Sequence, residues 1–192
     1  MGQPKAWLPF GPEVLLQRVV RVLGEVVSPI VVVAAQDQEL PLLPSDVRIA
    51  RDEHEALGPL AGLAAGFAAL RGEVESAYAT SCDVPLLRPE FVRAVIDSLG
   101  DHDLAIPRDG KYHHPLAAVY RLRLEQDVRD LIAANQLRPF FLLQRSRAFE
   151  IDVADLRRVD PELDSLRNTN TPDEYAAVLR LAGFDASQNT ET

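Results

Sequence analysis

The chain has 192 residues, 47 % of them hydrophobic and 26 % charged, with a formal net charge of −9. That length suits one domain with a sizeable core, and the acid excess argues against non-specific binding of nucleic acid or an anionic membrane. No apolar run reaches the roughly 18 residues of a spanning helix, the N-terminus lacks a signal-peptide layout, and one cysteine, Cys82, fits a reducing, cytoplasmic setting.

In chain order, Gly11 and Pro12 introduce a predicted helix starting near Pro12, a residue suited to a first helical turn. Leu15, Leu16, Val19, Val20, Leu23, Val26 and Val27 follow at helical spacing, with Gln17, Arg18, Arg21 and Glu25 on the other face. Pro29 opens the apolar run Ile30–Ala34, which reads as a strand buried on both faces. Residues 36–46 are a polar, proline-rich loop, and Val47–Ala50 is a second strand that runs into Arg51–Glu55. Glu53 to Glu55 read as a solvated loop; Asp52 stands apart because it lies at a strand end.

Gly58-Pro59-Leu60-Ala61-Gly62 opens a helix to about Leu70. Its glycines allow a close backbone approach to a ligand, and a helix N-terminus favours anions; tight helix–sheet packing would use the same residues. Ser76–Asp83 reads as a buried strand that ends on a carboxylate and is stopped by Pro85. In an open α/β sheet, ligands bind just beyond the carboxyl ends of strands. A carboxylate there suits Mg²⁺, which takes one or two carboxylates and completes its shell with water and phosphates. The same Asp83 would also serve as a turn or cap residue before the helix Pro89–Leu99.

Asp103–Pro107 is a further strand, Asp109-Gly110 a turn, and His113–Tyr120 leads into another strand. Neighbouring histidines on an extended chain face opposite ways, so His113 and His114 make a poor metal pair. A helix over Leu124–Ala134, the apolar Phe140–Leu143 and a short strand over Ala148–Val153 follow. Thr171, Pro172 and Glu174 form a capping box for a last helix ending near Gly183. Capping explains Thr171 and Glu174 but not the loop asparagines Asn168 and Asn170. Strands and helices alternate, which predicts a mostly parallel sheet with helices on both faces. The division expected is one domain over residues 1–184 and a frayed polar tail over 185–192.

Five stretches, in this order, resemble the MobA-like nucleotidyltransferases. They are Met1-Gly2-Gln3-Pro4-Lys5, Gly58–Gly62 with Asp52 before it, Cys82–Pro85, His114–Leu116 and Asn168–Pro172. The resemblance runs from Met1 to about Leu181. It implies a Rossmann-like three-layer α/β sandwich of the nucleotide-diphospho-sugar transferase type. It also implies transfer of GMP from GTP to Mo-molybdopterin with release of pyrophosphate, within a pathway of other cofactor-assembly or acceptor proteins. By resemblance, Asp83 is the Mg²⁺ ligand and Lys5 steadies the triphosphate. Asp52 contacts the nucleoside, Gly58 and Gly62 belong to the GTP site, His114 lies toward the acceptor, and Asn168 and Asn170 form part of the site floor, near metal or acceptor. Such chemistry needs positioning and charge neutralisation rather than a covalent nucleophile. Cys82, among small residues beside a carboxylate, is not expected to be a thiolate.

Two departures from the family pattern stand out. The family's first strand and glycine-rich loop, which cradles phosphates through backbone N–H groups, would lie before Met1; roughly 15–20 further residues are expected there. Ala35 stands near a position where guanylyltransferases often carry asparagine. A related transferase using CTP or a sugar-phosphate acceptor therefore stays open, as does a catalytically silent binding module.

Overall fold

The computed structural model describes residues 4–52 and 57–184. The expectations for Met1-Gly2-Gln3, Glu53–Glu55 and the tail from Asp185 concern residues outside this range.

The chain enters with a 3-10 turn over Lys5–Trp7 and a minimal hairpin of β1 (Pro9–Phe10) and β2 (Glu13–Val14). Gly11, at φ 64°, makes the turn with Pro12. Pro12 therefore turns a hairpin rather than starting a helix. Helix α1 begins later, at Leu15, and runs to Gly24; the Gln17 side chain accepts the Val14 N–H at 3.1 Å. Next come β3 (Val31–Ala35), β4 (Arg48–Asp52), α2 (Pro59–Leu70) and β5 (Ser76–Thr80). They are followed by α3 (Pro89–Asp97), β6 (Leu104–Asp109), β7 (Tyr112–His113) and β8 (Ala117–Arg121). The rest is α4 (Glu125–Ala133), α5 (Phe140–Arg145), β9 (Ala148–Asp152), α6 (Val153–Leu156) and α7 (Pro172–Leu181).

The expected Rossmann-like α/β architecture holds. The strands form a parallel pair, β3 with β4, and a five-stranded sheet in which β8 lies between β5 and β6, and β7 and β9 both pair with β6. Pairing in the larger sheet is mixed. β9 runs parallel to β6, whereas β5–β8, β6–β8 and β6–β7 are antiparallel. The Asp109-Gly110 turn accounts for this, since it folds the chain straight back from β6 into β7.

Strand alternation splits the larger sheet's side chains between two cores. Ala105 and Val119 join Phe91, Val92 and Val95 of α3 on one face. Leu104, Ile106 and Tyr120 join Leu60, Leu63 and Phe67 of α2 on the other. Fully burying one such side chain is worth about 1.5–3 kcal/mol. Tyr120 keeps its hydroxyl satisfied by donating to the Pro115 carbonyl at 2.8 Å. Helix α7 closes the molecule over the hairpin through Val178 and Leu179 against Phe10 and Leu15.

β3 departs from expectation. Val32 and Ala34 are buried, Val32 against Leu16 and Val20 of α1, but Val31, Val33 and Ala35 are only half-buried. They face a cavity of about 710 Å³ that runs between β3 and β5 and is bounded by α1 and α2. β5 also stops earlier than its sequence suggests, at Thr80, so Ser81, Cys82 and Asp83 form the turn beyond it.

Candidate active site

Lys5 sits in the first turn of the described chain and Asp83 at the end of β5, 78 positions apart, yet Lys5 Nζ lies 2.7 Å from Asp83 Oδ2. The same ammonium donates to Asn170 Oδ1 at 2.6 Å. Local structure fixes each member. Asp83 Oδ1 accepts the Ser81 hydroxyl from two residues back. The Asp83 carbonyl accepts both the N–H and the hydroxyl of Thr169, at 2.9 and 3.2 Å. Thr169 is fully buried. Glu174 closes the loop from the other side: its carboxylate accepts the N–H groups of Asn170 and Thr171 at 2.8 and 2.9 Å. Those two donors hold the Glu174 carboxyl below its ordinary range. The Thr171 hydroxyl accepts the Glu174 N–H in return, completing the capping box.

The result is a carboxylate with 9 % of its side chain exposed, facing an ammonium with 35 % exposed. Asp83 is buried, and the ammonium is the member of the pair that reaches solvent. Two hard oxygens, one from Asp83 and one from Asn170, converge on a single cationic point. Among the described residues no cluster of three or more His, Cys, Asp or Glu side chains is placed to hold a metal. So sparse a donor set fits a hard cation that draws most of its shell from water and phosphate.

The other expected residues divide. Asp52 ends β4, is half-buried and lines the same cavity as Gly58, Gly62 and Cys82. Gly58 takes a φ of +69°, which favours glycine, and open space surrounds a side chain placed on it or on Gly62. Asn168 is exposed on the loop beside Thr169. His114 stands at the connection from β7 to β8, half-buried, its N–H donated to the Pro107 carbonyl at 3.0 Å. Burial lowers its pKa. The neighbouring His113 turns to Glu150, at 2.8 Å. Burial, and then the adjacent Asp83 charge, push the Cys82 thiol up to about 11, which is no place for a nucleophile. Sequence reasoning did not single out Ser81 or Thr169. Their one signal is a hydroxyl residue set beside functional polar ones, at Ser81-Cys82-Asp83 and at Asn168-Thr169-Asn170.

The model of the MobA-like NTP transferase domain matches residues 1–148. The "Probable molybdenum cofactor guanylyltransferase" of Mycobacterium tuberculosis H37Rv is 37 % identical over 164 residues, 82 % of this chain and 79 % of that protein. A protein of the same name from Methanosarcina acetivorans is 27 % identical over 188 residues, covering 91 % and 82 %. Among solved structures, molybdopterin-guanine dinucleotide biosynthesis protein A from Archaeoglobus fulgidus superposes with a TM-score of 0.74 at 24 % identity, over 95 % of this chain and 92 % of that one. The 2-C-methyl-D-erythritol 4-phosphate cytidylyltransferase of Thermus thermophilus gives 0.72 at 12 % identity, over 94 % of each, a likeness of fold. The chain is a nucleotidyltransferase: it belongs to the MobA-like NTP transferase family. Transfer by this family calls in general for a divalent cation.

Proposed function

We propose that the protein is a molybdenum cofactor guanylyltransferase of the cytoplasm, moving GMP from GTP onto Mo-molybdopterin. The observation that carries this is the bridge from Lys5 to Asp83 and Asn170 at a strand end, in a chain related to proteins of that name. In the reaction a phosphate oxygen of the pterin attacks the α-phosphorus of GTP. The bond from that phosphorus to the β-phosphate oxygen breaks, and pyrophosphate leaves.

Asp83 and Asn170 are the residues that would hold Mg²⁺. Bound there, the ion supplies charge neutralisation for the triphosphate. Lys5 binds phosphate oxygens and offsets the charge passing to the leaving group. Its half-exposed side chain can turn from Asp83 to the substrate without leaving a buried cation behind. Asp52, Gly58 and Gly62 line the cavity on the side assigned to the nucleoside, and His114 and Asn168 are assigned to the acceptor. Ser81 and Thr169 orient Asp83 and the asparagine loop.

The test is pyrophosphate release from the protein with Mo-molybdopterin and Mg²⁺, with GTP and CTP in separate arms. Release with GTP and not CTP is expected. Release with CTP alone would reassign the nucleotide, and none with either would overturn the reading.

A further inference from the structure

Lys5 fills the point on which the two hard oxygens of the site converge, and we infer that it makes the protein select a metal–triphosphate complex over the free metal ion. The ammonium keeps Asp83 and Asn170 closed to a divalent cation until a triphosphate draws it away. This rests on the reading of Asp83 and Asn170 as cation ligands, and it adds the order in which the site fills.

The carboxylate has one oxygen to offer. Asp83 is 6 % exposed. Its Oδ1 accepts the Ser81 hydroxyl, which leaves Oδ2 to meet a cation, and Lys5 Nζ stands on Oδ2 at 2.7 Å. Asn170 Oδ1 accepts from the same Nζ at 2.6 Å. A cation that took both oxygens would stand where Nζ stands. Mg²⁺ binds oxygen at about 2.0–2.1 Å, closer than either contact, so ion and ammonium cannot share the pair. Like charges at such range repel strongly, the more so beside a buried carboxylate, where solvent screens them poorly.

The chain fixes Lys5 by its backbone and leaves its side chain able to move. The Lys5 carbonyl accepts the Leu8 N–H at 3.1 Å, and the next residue, Ala6, is buried. Trp7 ties the same turn to a neighbouring loop, donating its indole N–H to the Glu39 carbonyl at 3.1 Å. The flexible four-carbon stem of a lysine can swing outward from this anchor, whereas Ser81 and Thr169 hold Asp83 where it is.

The balance of charge then sets the order. A buried carboxylate stripped of its cation is costly, so Lys5 leaves only when positive charge replaces it. A triphosphate alone gives Lys5 a new anion but leaves Asp83 bare. A free divalent ion finds Lys5 in place and gives it no anion to turn to. Only a metal–triphosphate complex satisfies both residues at once, with phosphate oxygens for Lys5 and positive charge for Asp83.

The experiment measures Mn²⁺ binding through loss of the free-ion paramagnetic resonance signal. The proteins are the parent, Lys5→Met, and Lys5→Met combined with Asp83→Asn, each with and without a non-hydrolysable GTP analogue. Without the analogue, Lys5→Met should bind Mn²⁺ at least roughly tenfold more tightly than the parent, and adding Asp83→Asn should abolish that gain. With the analogue, the parent should hold Mn²⁺ beyond what the analogue binds by itself. A second readout needs no Lys5 variant, because Lys5 and the exposed Lys111 are the chain's two lysines. Under limiting acetylation Lys5 should react more slowly than Lys111, and Mn²⁺ alone should leave that ratio unchanged. If Lys5→Met does not fold, this ratio decides. Equal affinity of the parent and Lys5→Met without the analogue overturns the inference, as does a rise in Lys5 acetylation with Mn²⁺ alone. Either result spares the cation site. Loss of the parent's Mn²⁺ binding in the presence of the analogue instead overturns the cation site itself, and the inference with it.

Discussion

Thr169 donates twice to one atom, the carbonyl oxygen of Asp83, through its N–H at 2.9 Å and its hydroxyl at 3.2 Å. The two residues lie 86 positions apart, and this double contact ties the asparagine loop to the end of β5. Thr169→Ala removes one of the two donors and is expected to cost about 1 kcal/mol of stability. At a temperature where the variant is folded, kcat should fall about tenfold with little change in KM for GTP, and Thr169→Ser should restore it. Steady-state kinetics on the three proteins checks this; an unchanged kcat in the alanine variant would make the contact structural only.

Asp83→Asn keeps the shape and the hydrogen bonds from Ser81 and Thr169 but removes the charge. Pyrophosphate release is expected to drop at least roughly 100-fold, while circular dichroism and gel filtration stay as in the parent. A folded Asp83→Asn protein with near-normal turnover would remove this residue from the cation site.

Lys5→Ala should raise KM for GTP more than KM for the acceptor. The side chain is 35 % exposed, so solvent screens the pair, and the expected loss of stability is only about 1 kcal/mol. Thermal melting separates this small effect from the large kinetic one.

Acid should loosen the loop before it unfolds the core. The Glu174 carboxyl is held below its ordinary range by the Asn170 and Thr171 N–H groups. A carboxyl lowered in the folded state stabilises above its unfolded pKa, and that contribution is lost as pH falls through the lower folded value. Glu174→Gln should remove this part of the acid dependence, seen as a flatter melting-temperature profile below about pH 4.5. His114 has the same sign for a different reason. Burial lowers its pKa, so stability is complete above about pH 6.5 and declines as the unfolded chain begins to take up the proton first. His114→Asn should flatten the profile between about pH 5 and 6.5.

Much of the fold is legible in the residues themselves. Val31–Ala35, Ser76–Thr80 and Ala148–Asp152 are strands where apolar and β-branched runs suggest them, and Thr171 and Glu174 form the capping box that their spacing predicts. The hairpin at Pro9–Val14 was not legible, because two-residue strands show no period and Pro12 serves a turn as well as a helix start. The half-exposure of Val33 was not legible either, since it depends on what lies beside β3 rather than on β3. Lys5 is selectable only through a resemblance of motifs, whereas Asp83 stands out as a carboxylate at a strand end and Asn170 as a loop asparagine that capping leaves unexplained. Their meeting at 2.6–2.7 Å is a tertiary fact that no local pattern carries. Thr169 is not legible in the sequence, because a buried threonine between two exposed asparagines announces itself only when its partner, a main-chain carbonyl, is known.

The chain carries a chemical clock of its own. Burial pushes its one thiol, Cys82, up to about 11, so the reactive thiolate is scarce at pH 8. Alkylation of the native protein is therefore slow, and it quickens whenever the end of β5 opens and returns the sulfur to water. The rate of iodoacetamide labelling, followed by mass alone, then measures how often this corner of the molecule comes apart, without a probe having to be introduced.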